Sequence, residues 1–191
     1  MGPVVQVLWE DWADRSLPLP AYQTVGAAGA DICANFPEAQ RETGLVLAPM
    51  QRAICPTGIR VAIPEGYEMQ VRPRSGLASR HGITLPNTPG TIDSDYRGPL
   101  GVSLVNLGTE PYTIRHGDRV AQAVVAPVVQ VGFAVVEVLD ETARGIGGVW
   151  ASGPSTSAGR RGLPGSARRA PRAAGPPRAR DHGAPMSRTP R

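Results

Sequence analysis

The sequence predicts an all-β fold, a jelly roll or a distorted barrel. Three observations carry that expectation. From Val4 to about Val138 the apolar stretches are short and broken by Gly, Pro and Asp. Turn signals (Ala48-Pro49, Pro64-Glu65-Gly66, Leu107-Gly108, His116-Gly117-Asp118) recur at the spacing of a sandwich or barrel. No window sustains a helical period over three turns.

Val4–Trp9 opens the series of strands. Leu45–Ala48, Ala53–Ile54, Gly58–Ile63 and Tyr67–Arg72 follow, with the period of two plainest at Ile59, Val61 and Ile63. Gly82–Thr84, Leu100–Leu107, Tyr112–Ile114 and Val120–Ala126 complete it. Residues 154–191 differ in kind: they hold seven Pro, nine Arg and no aromatic residue, with only Leu163 and Met186 as large apolars. Such a stretch buries too little surface to offset the entropy of ordering it. The expected organisation is a β domain over 1–143, a Gly-rich arm over 144–153 and a disordered Arg/Pro/Ala-rich tail over 154–191.

The charge follows this division. Residues 1–153 hold 11 Arg against 15 Asp and Glu, a net of −4, and residues 154–191 hold 9 Arg against Asp181, a net of +8. Nucleic-acid contact is therefore expected only through the tail. The chain has no lysine, which reads as a codon bias toward G and C. Two cysteines, Cys33 and Cys55, make no disulfide framework, and scattered His81, His116 and His182 suggest no zinc site. No charged region precedes an apolar run at the N-terminus and no stretch approaches a membrane span, so a cytoplasmic protein is expected.

Four segments carry chemistry. Asp93, Asp95, Tyr96 and Arg97 crowd the mouth of the strand that holds Leu100, Val102 and Leu104. Such a group makes a poor core, but it can hold a water, a sugar face and an anion together. The run Val71-Arg72-Pro73-Arg74-Ser75-Gly76-Leu77-Ala78 leads a strand into a guanidinium, a hydroxyl and a glycine that lets a ligand approach the backbone. Between them, apolar runs around Pro86-Asn87-Thr88-Pro89-Gly90 suggest a hairpin, and the Asn87 amide offers both a donor and an acceptor. At Gly117-Asp118-Arg119-Val120-Ala121-Gln122 a turn enters an apolar strand that carries one polar residue. A further short segment, Ala28-Gly29-Ala30-Asp31-Ile32-Cys33-Ala34, reads on its own as an ordinary strand after a Gly turn.

Taken in order, these segments resemble the motifs of the homotrimeric dUTPase family over about residues 20–148. The resemblance implies hydrolysis of dUTP to dUMP and pyrophosphate, dependent on Mg²⁺, at sites shared between the subunits of a homotrimer. Asp93 would orient and deprotonate the attacking water, and Tyr96 would pack its ring on the deoxyribose and exclude a 2′-hydroxyl. Arg74, Ser75 and Gly76 would contact phosphates, with Gln122 reaching them from a neighbouring subunit. Asn87 would read uracil. Thr91, Ile92 and Gly101 would complete the substrate contacts, while Asp95 and Arg97 serve as structural partners at the interface. Asp31 would meet Mg²⁺ through water, in keeping with the ion's retention of several waters.

The family pattern breaks at its last motif. The family ends in Arg-Gly-x-Gly-Gly-Phe-Gly, an arm that closes over the triphosphate with Arg on the terminal phosphate and Phe on uracil. This chain has Arg144-Gly145-Ile146-Gly147-Gly148, then Val149 and Trp150. Losing a stacked ring removes about 1–3 kcal/mol. Val-Trp written GTT TGG reads Phe-Gly after a one-base shift, which points to a frameshift near Ile146–Gly148. The alternative is a divergent arm with a basic extension. Two further functions compete with hydrolysis of dUTP. A dUTPase-fold protein with impaired catalysis would keep a binding role. The related dCTP deaminases would need a Glu base near the pyrimidine, and residues 81–93 contain none.

Overall fold

A computed structural model describes residues 2–142 and 145. The chain divides after Ala134: among the described residues Met1–Ala134 carries the helices and strands, and those of Val135–Arg191 form none. The arm from Arg144, its departure at Val149-Trp150 and the tail over 154–191 lie outside the described residues, apart from residue 145.

The first unit is antiparallel throughout. Its strands are β1 (Gln6–Trp9), β2 (Ala30–Cys33), β3 (Leu45–Leu47), β4 (Arg52–Ala62), β5 (Tyr67–Pro73), β6 (Ile83–Thr84), β7 (Gly90–Ile92), β8 (Pro99–Asn106), β9 (Tyr112–Ile114) and β10 (Arg119–Pro127). One sheet runs β1-β4-β8-β6, a second β2-β10-β5-β7, and β3 pairs with β9. Strand alternation builds the core between them. Leu100, Val102 and Leu104 of β8 and Ile59 and Val61 of β4 turn inward, and Ile32, Val71 and Ala123 meet them from the second sheet. The all-β, jelly-roll-like class expected from the sequence holds.

Three local expectations change. Ala53–Ile54 and Gly58–Ile63 are one strand, β4, with a register shift between Pro56 and Arg60. Proline is tolerated there because β1 pairs only with Ile59–Ala62, so Pro56 needs no donor on that side. A helix, α1 (Ser75–His81), stands where the sequence suggests none, since two turns are too short to show a period. The expected hairpin around Asn87 is not one. β6 pairs with β8 and β7 pairs with β5, so the segment crosses from one sheet to the other.

Asn106 ties the third ribbon to the sheets. It is fully buried, its Nδ2 donates to the carbonyls of Leu47 (2.9 Å) and Glu110 (2.8 Å), and its Oδ1 accepts from Gly108 N (2.8 Å). Asn106→Ala would leave these backbone groups short of partners. We expect a loss of about 3 kcal/mol, read as a lower urea midpoint with an unchanged slope.

Candidate active site

The second sheet brings three of the sequence segments together. In its register Gln122 of β10 stands opposite Asp31 of β2 on one side and Arg72 of β5 on the other. Asp31 is 4% exposed, and its carboxylate is enclosed by donors. Gln122 Nε2 donates to Oδ1 at 3.0 Å, Arg119 Nη1 to Oδ2 at 3.0 Å, and Arg74 Nε lies 3.5 Å from Oδ1. Arg74 also donates through Nη1 to the Arg119 carbonyl at 3.0 Å. Gly29 makes room for this arrangement, because a Cβ there would sit 3.0 Å from the Gln122 Cβ. Burial pushes the neighbouring Cys33 thiol upward against the pull of Arg119.

Arg74 is the residue before α1, and exposed Ser75 and Gly76 open the helix. The first N–H groups of a helix have no partner within it. Arg74, Ser75 and Gly76 therefore present donors to solvent at the edge of the Asp31 cluster. The result is a group of cations and amides around one neutralising carboxylate, suited to an anion with several oxygens.

Arg119 is the residue that sequence reasoning missed. Counting back by twos from buried Ala123 and Ala121 points residue 119 into the core. The strand instead bulges at Val120. Arg119 pairs with Cys33 and Ala121 with Ile32, which returns Arg119 to the face of Asp31 and Gln122.

The acidic segment lies elsewhere. β7 pairs with β5 as Met69↔Ile92, Gln70↔Thr91 and Val71↔Gly90, so Asp93 falls beyond Met69 at the start of β5. Arg74 is five residues past Met69, about 16 Å along an extended strand. The β2 and β7 edges are separated by three strand spacings, about 14 Å. Within one chain, Asp93 cannot reach the Asp31 cluster.

Asp93 is exposed and, with Thr91, Ser94 and Asp95, lines an open cleft that Tyr67, Glu68 and Val128 also border. Its side chain has no hydrogen-bond partner among the described residues. Tyr96 folds back over Gly98, where any Cβ would collide with the ring, and its hydroxyl donates to Pro99 O at 3.0 Å. The ring is thus held firmly with 43% of the residue exposed. Arg97 clasps its own turn, donating from Nη1 to the carbonyls of Ser94 (2.6 Å) and Tyr96 (2.7 Å). Asp95 makes no ion pair among the described residues. Asn87 is exposed with its amide over Gly90, and Ile92 is half-buried in β7. Gly101 lies apart, on β8 opposite Pro56, where a Cβ would meet Ile54. Arg144 lies outside the described residues.

The donor set limits what metal can be held. Among the described residues no three His, Cys, Asp or Glu side chains converge. Asp31 is the one carboxylate of its cluster; Gln122 and Arg119 hydrogen-bond it and the Arg74 guanidinium crowds it at 3.5 Å. What acceptor capacity remains suits a water better than direct ligation of a metal.

The dUTPase family model matches residues 15–153. A deoxyuridine 5′-triphosphate nucleotidohydrolase of Dinoroseobacter shibae is 63% identical over 153 residues, 80% of this chain and 99% of that protein. One of Roseobacter denitrificans is 59% identical over 149 residues, 78% of this chain and 95% of that protein. Among solved structures, the Staphylococcus bacteriophage 80alpha dUTPase with dUpNHpp shares 25% identity at a TM-score of 0.67, covering 78% of this chain and 98% of its own. A mutant dUTPase of S. aureus phage phi11, described for the coordination of a structural Mg(II) ion, has the same fold at a TM-score of 0.59 and 24% identity. That match covers 72% of this chain and 99% of the phage chain.

Proposed function

The chain belongs to the dUTPase family, and from that premise we propose that it builds each active site from two or more copies of itself. It is a hydrolase that converts dUTP to dUMP and pyrophosphate. The dUMP supplies thymidylate synthesis, and removal of dUTP keeps uracil out of DNA. The observation that carries the assembly is the separation of Asp93 from the Asp31, Arg74 and Gln122 cluster by more than a dozen ångströms along and across one sheet. A second copy supplies the missing half. Exposed Val129, Val131 and Phe133, which follow β10, offer apolar surface for such a neighbour. A homotrimer closes the arrangement with one kind of interface.

Phosphoryl chemistry is carried mostly by positioning and charge neutralisation. Asp93 accepts the proton of a water aligned with the α-phosphorus. Tyr96, locked by Pro99 and Gly98, presents its ring to the deoxyribose, and Asn87 takes the edge of uracil. Arg74 with Ser75 and Gly76 meets the phosphates, and Gln122 stands beside them. Mg²⁺, when bound with the triphosphate, supplies neutralisation of its oxygens. Asp31 would hold that ion through a water. Arg144 would meet the terminal phosphate. Among the described residues no helix is long and apolar enough to cross a membrane, and we place the enzyme in the cytoplasm.

Steady-state hydrolysis of dUTP, dCTP, dTTP and UTP tests this function. Turnover confined to dUTP and lost with excess chelator is expected. Comparable turnover of dCTP or UTP would contradict it.

A further inference from the structure

Arg119 touches both groups that the proposed function sets against the triphosphate. Its side chain is the one donor to Asp31 Oδ2 among the described residues, at 3.0 Å, and its carbonyl accepts from Arg74 at 3.0 Å. A bulge at Val120 exists at this point of β10 and turns Arg119 out of the core to make both contacts. We propose that Arg119 is a positioning residue for triphosphate binding, which occupies Asp31 so that Arg74 keeps its remaining guanidinium donors for phosphate.

Without Arg119, Asp31 must find another cationic partner. A carboxylate only 4% exposed needs charged donors. With Arg119 removed, the nearest replacement is Arg74, whose Nε is already 3.5 Å from Oδ1. Arg74 would close on Asp31 in a forked pair and turn its remaining donors from the ligand side. The side chain of Arg119 is 47% exposed and reaches the carboxylate from solvent, so it serves Asp31 without being buried itself.

This role rests on the dUTPase reading, and its test separates the two. The probe is a dUTP analogue with an imido bridge between the α and β phosphorus atoms, titrated calorimetrically with Mg²⁺. The variants are Arg119→Gln, Arg119→Lys, Asp31→Asn and the double Asp31→Asn/Arg119→Gln. Arg72→Gln is the control: Arg72 pairs with Gln122 in the same sheet, and its guanidinium bonds only Gln70 Oε1 among the described residues.

Arg119→Gln is expected to weaken analogue binding about ten- to a hundredfold, with kcat/KM for dUTP falling more than kcat. Lysine at 119 restores most of the affinity, because one ammonium can satisfy Oδ2. Arg72→Gln stays within about twofold of the parent, and the double variant is no weaker than Asp31→Asn alone, as coupled neighbours require. Should Arg119→Gln fail to fold, the comparison of Asp31→Asn with the double variant decides the matter, since neither leaves a buried unpaired carboxylate. Additive losses in the double variant, or an equal loss in Arg72→Gln, would overturn the role in favour of a general positive field. So would an Arg119→Gln protein that binds like the parent. A parent protein that neither binds the analogue nor hydrolyses dUTP would overturn the underlying function instead.

Discussion

Asp93→Asn is expected to lower kcat for dUTP by about 10²–10⁴-fold while analogue affinity stays within about threefold. The carboxylate stands exposed at the end of β7 and has no side-chain partner among the described residues, so the substitution disturbs nothing that holds the fold. The turn that follows depends on the Asp93 carbonyl, which accepts from Tyr96 N at 3.2 Å, and the variant keeps it. An amide cannot take the proton from water, which puts the loss in the chemical step. Single-turnover kinetics beside analogue titration would separate the two quantities. Weakened binding with unchanged turnover would assign Asp93 to substrate contact alone.

Asp31→Asn acts at the other half. The buried carboxylate neutralises Arg74 and Arg119 together, and its loss leaves two guanidinium groups facing one neutral amide. Removing one member of a fully buried pair costs about 3–5 kcal/mol, and both guanidinium groups here reach water, so about 1–2 kcal/mol is expected. The effect on dUTP should be larger, about a hundredfold in kcat/KM, with more Mg²⁺ needed for half-maximal rate. Urea denaturation and a Mg²⁺ titration of the rate check the two parts. A variant as stable as the parent with the same Mg²⁺ requirement would leave Asp31 without either role.

Much of this molecule is legible from residue order because the period of two in its strands, and the polar residues that interrupt apolar runs, are visible there. The alternation Leu100, Val102, Leu104 predicts a half-buried strand, and β8 buries those three residues. The polar break at Gln122 in an apolar run marks the residue that meets Asp31. Asp31 itself reads on its own as part of a plain strand. Only the register of β2 against β10, a contact across 91 residues of sequence, shows why a carboxylate is buried there.

What the sequence hides is equally physical. A bulge adds one residue and reverses every facing direction beyond it, so Arg119 looks like a core position until Val120 is seen to stand out of register. Around Asn87 the two apolar runs look like hairpin partners, yet each finds a longer strand of a different sheet to pair with. Turn chemistry specifies the change of direction and not the partner. The separation of Asp93 from Arg74 is invisible in the sequence, where they lie 19 residues apart on either side of a helix and a crossover.

Mixing two impaired variants tests the shared site most directly. Asp93→Asn and Asp31→Asn chains, unfolded together in equal amounts and refolded, should regain about a quarter of the parent activity if each site in a closed ring draws Asp31 and Asp93 from different neighbours. Each variant refolded alone should stay at about a hundredth of the parent activity or below. A mixture no more active than its components would contradict the account, because it would mean that both carboxylates of every site come from one chain.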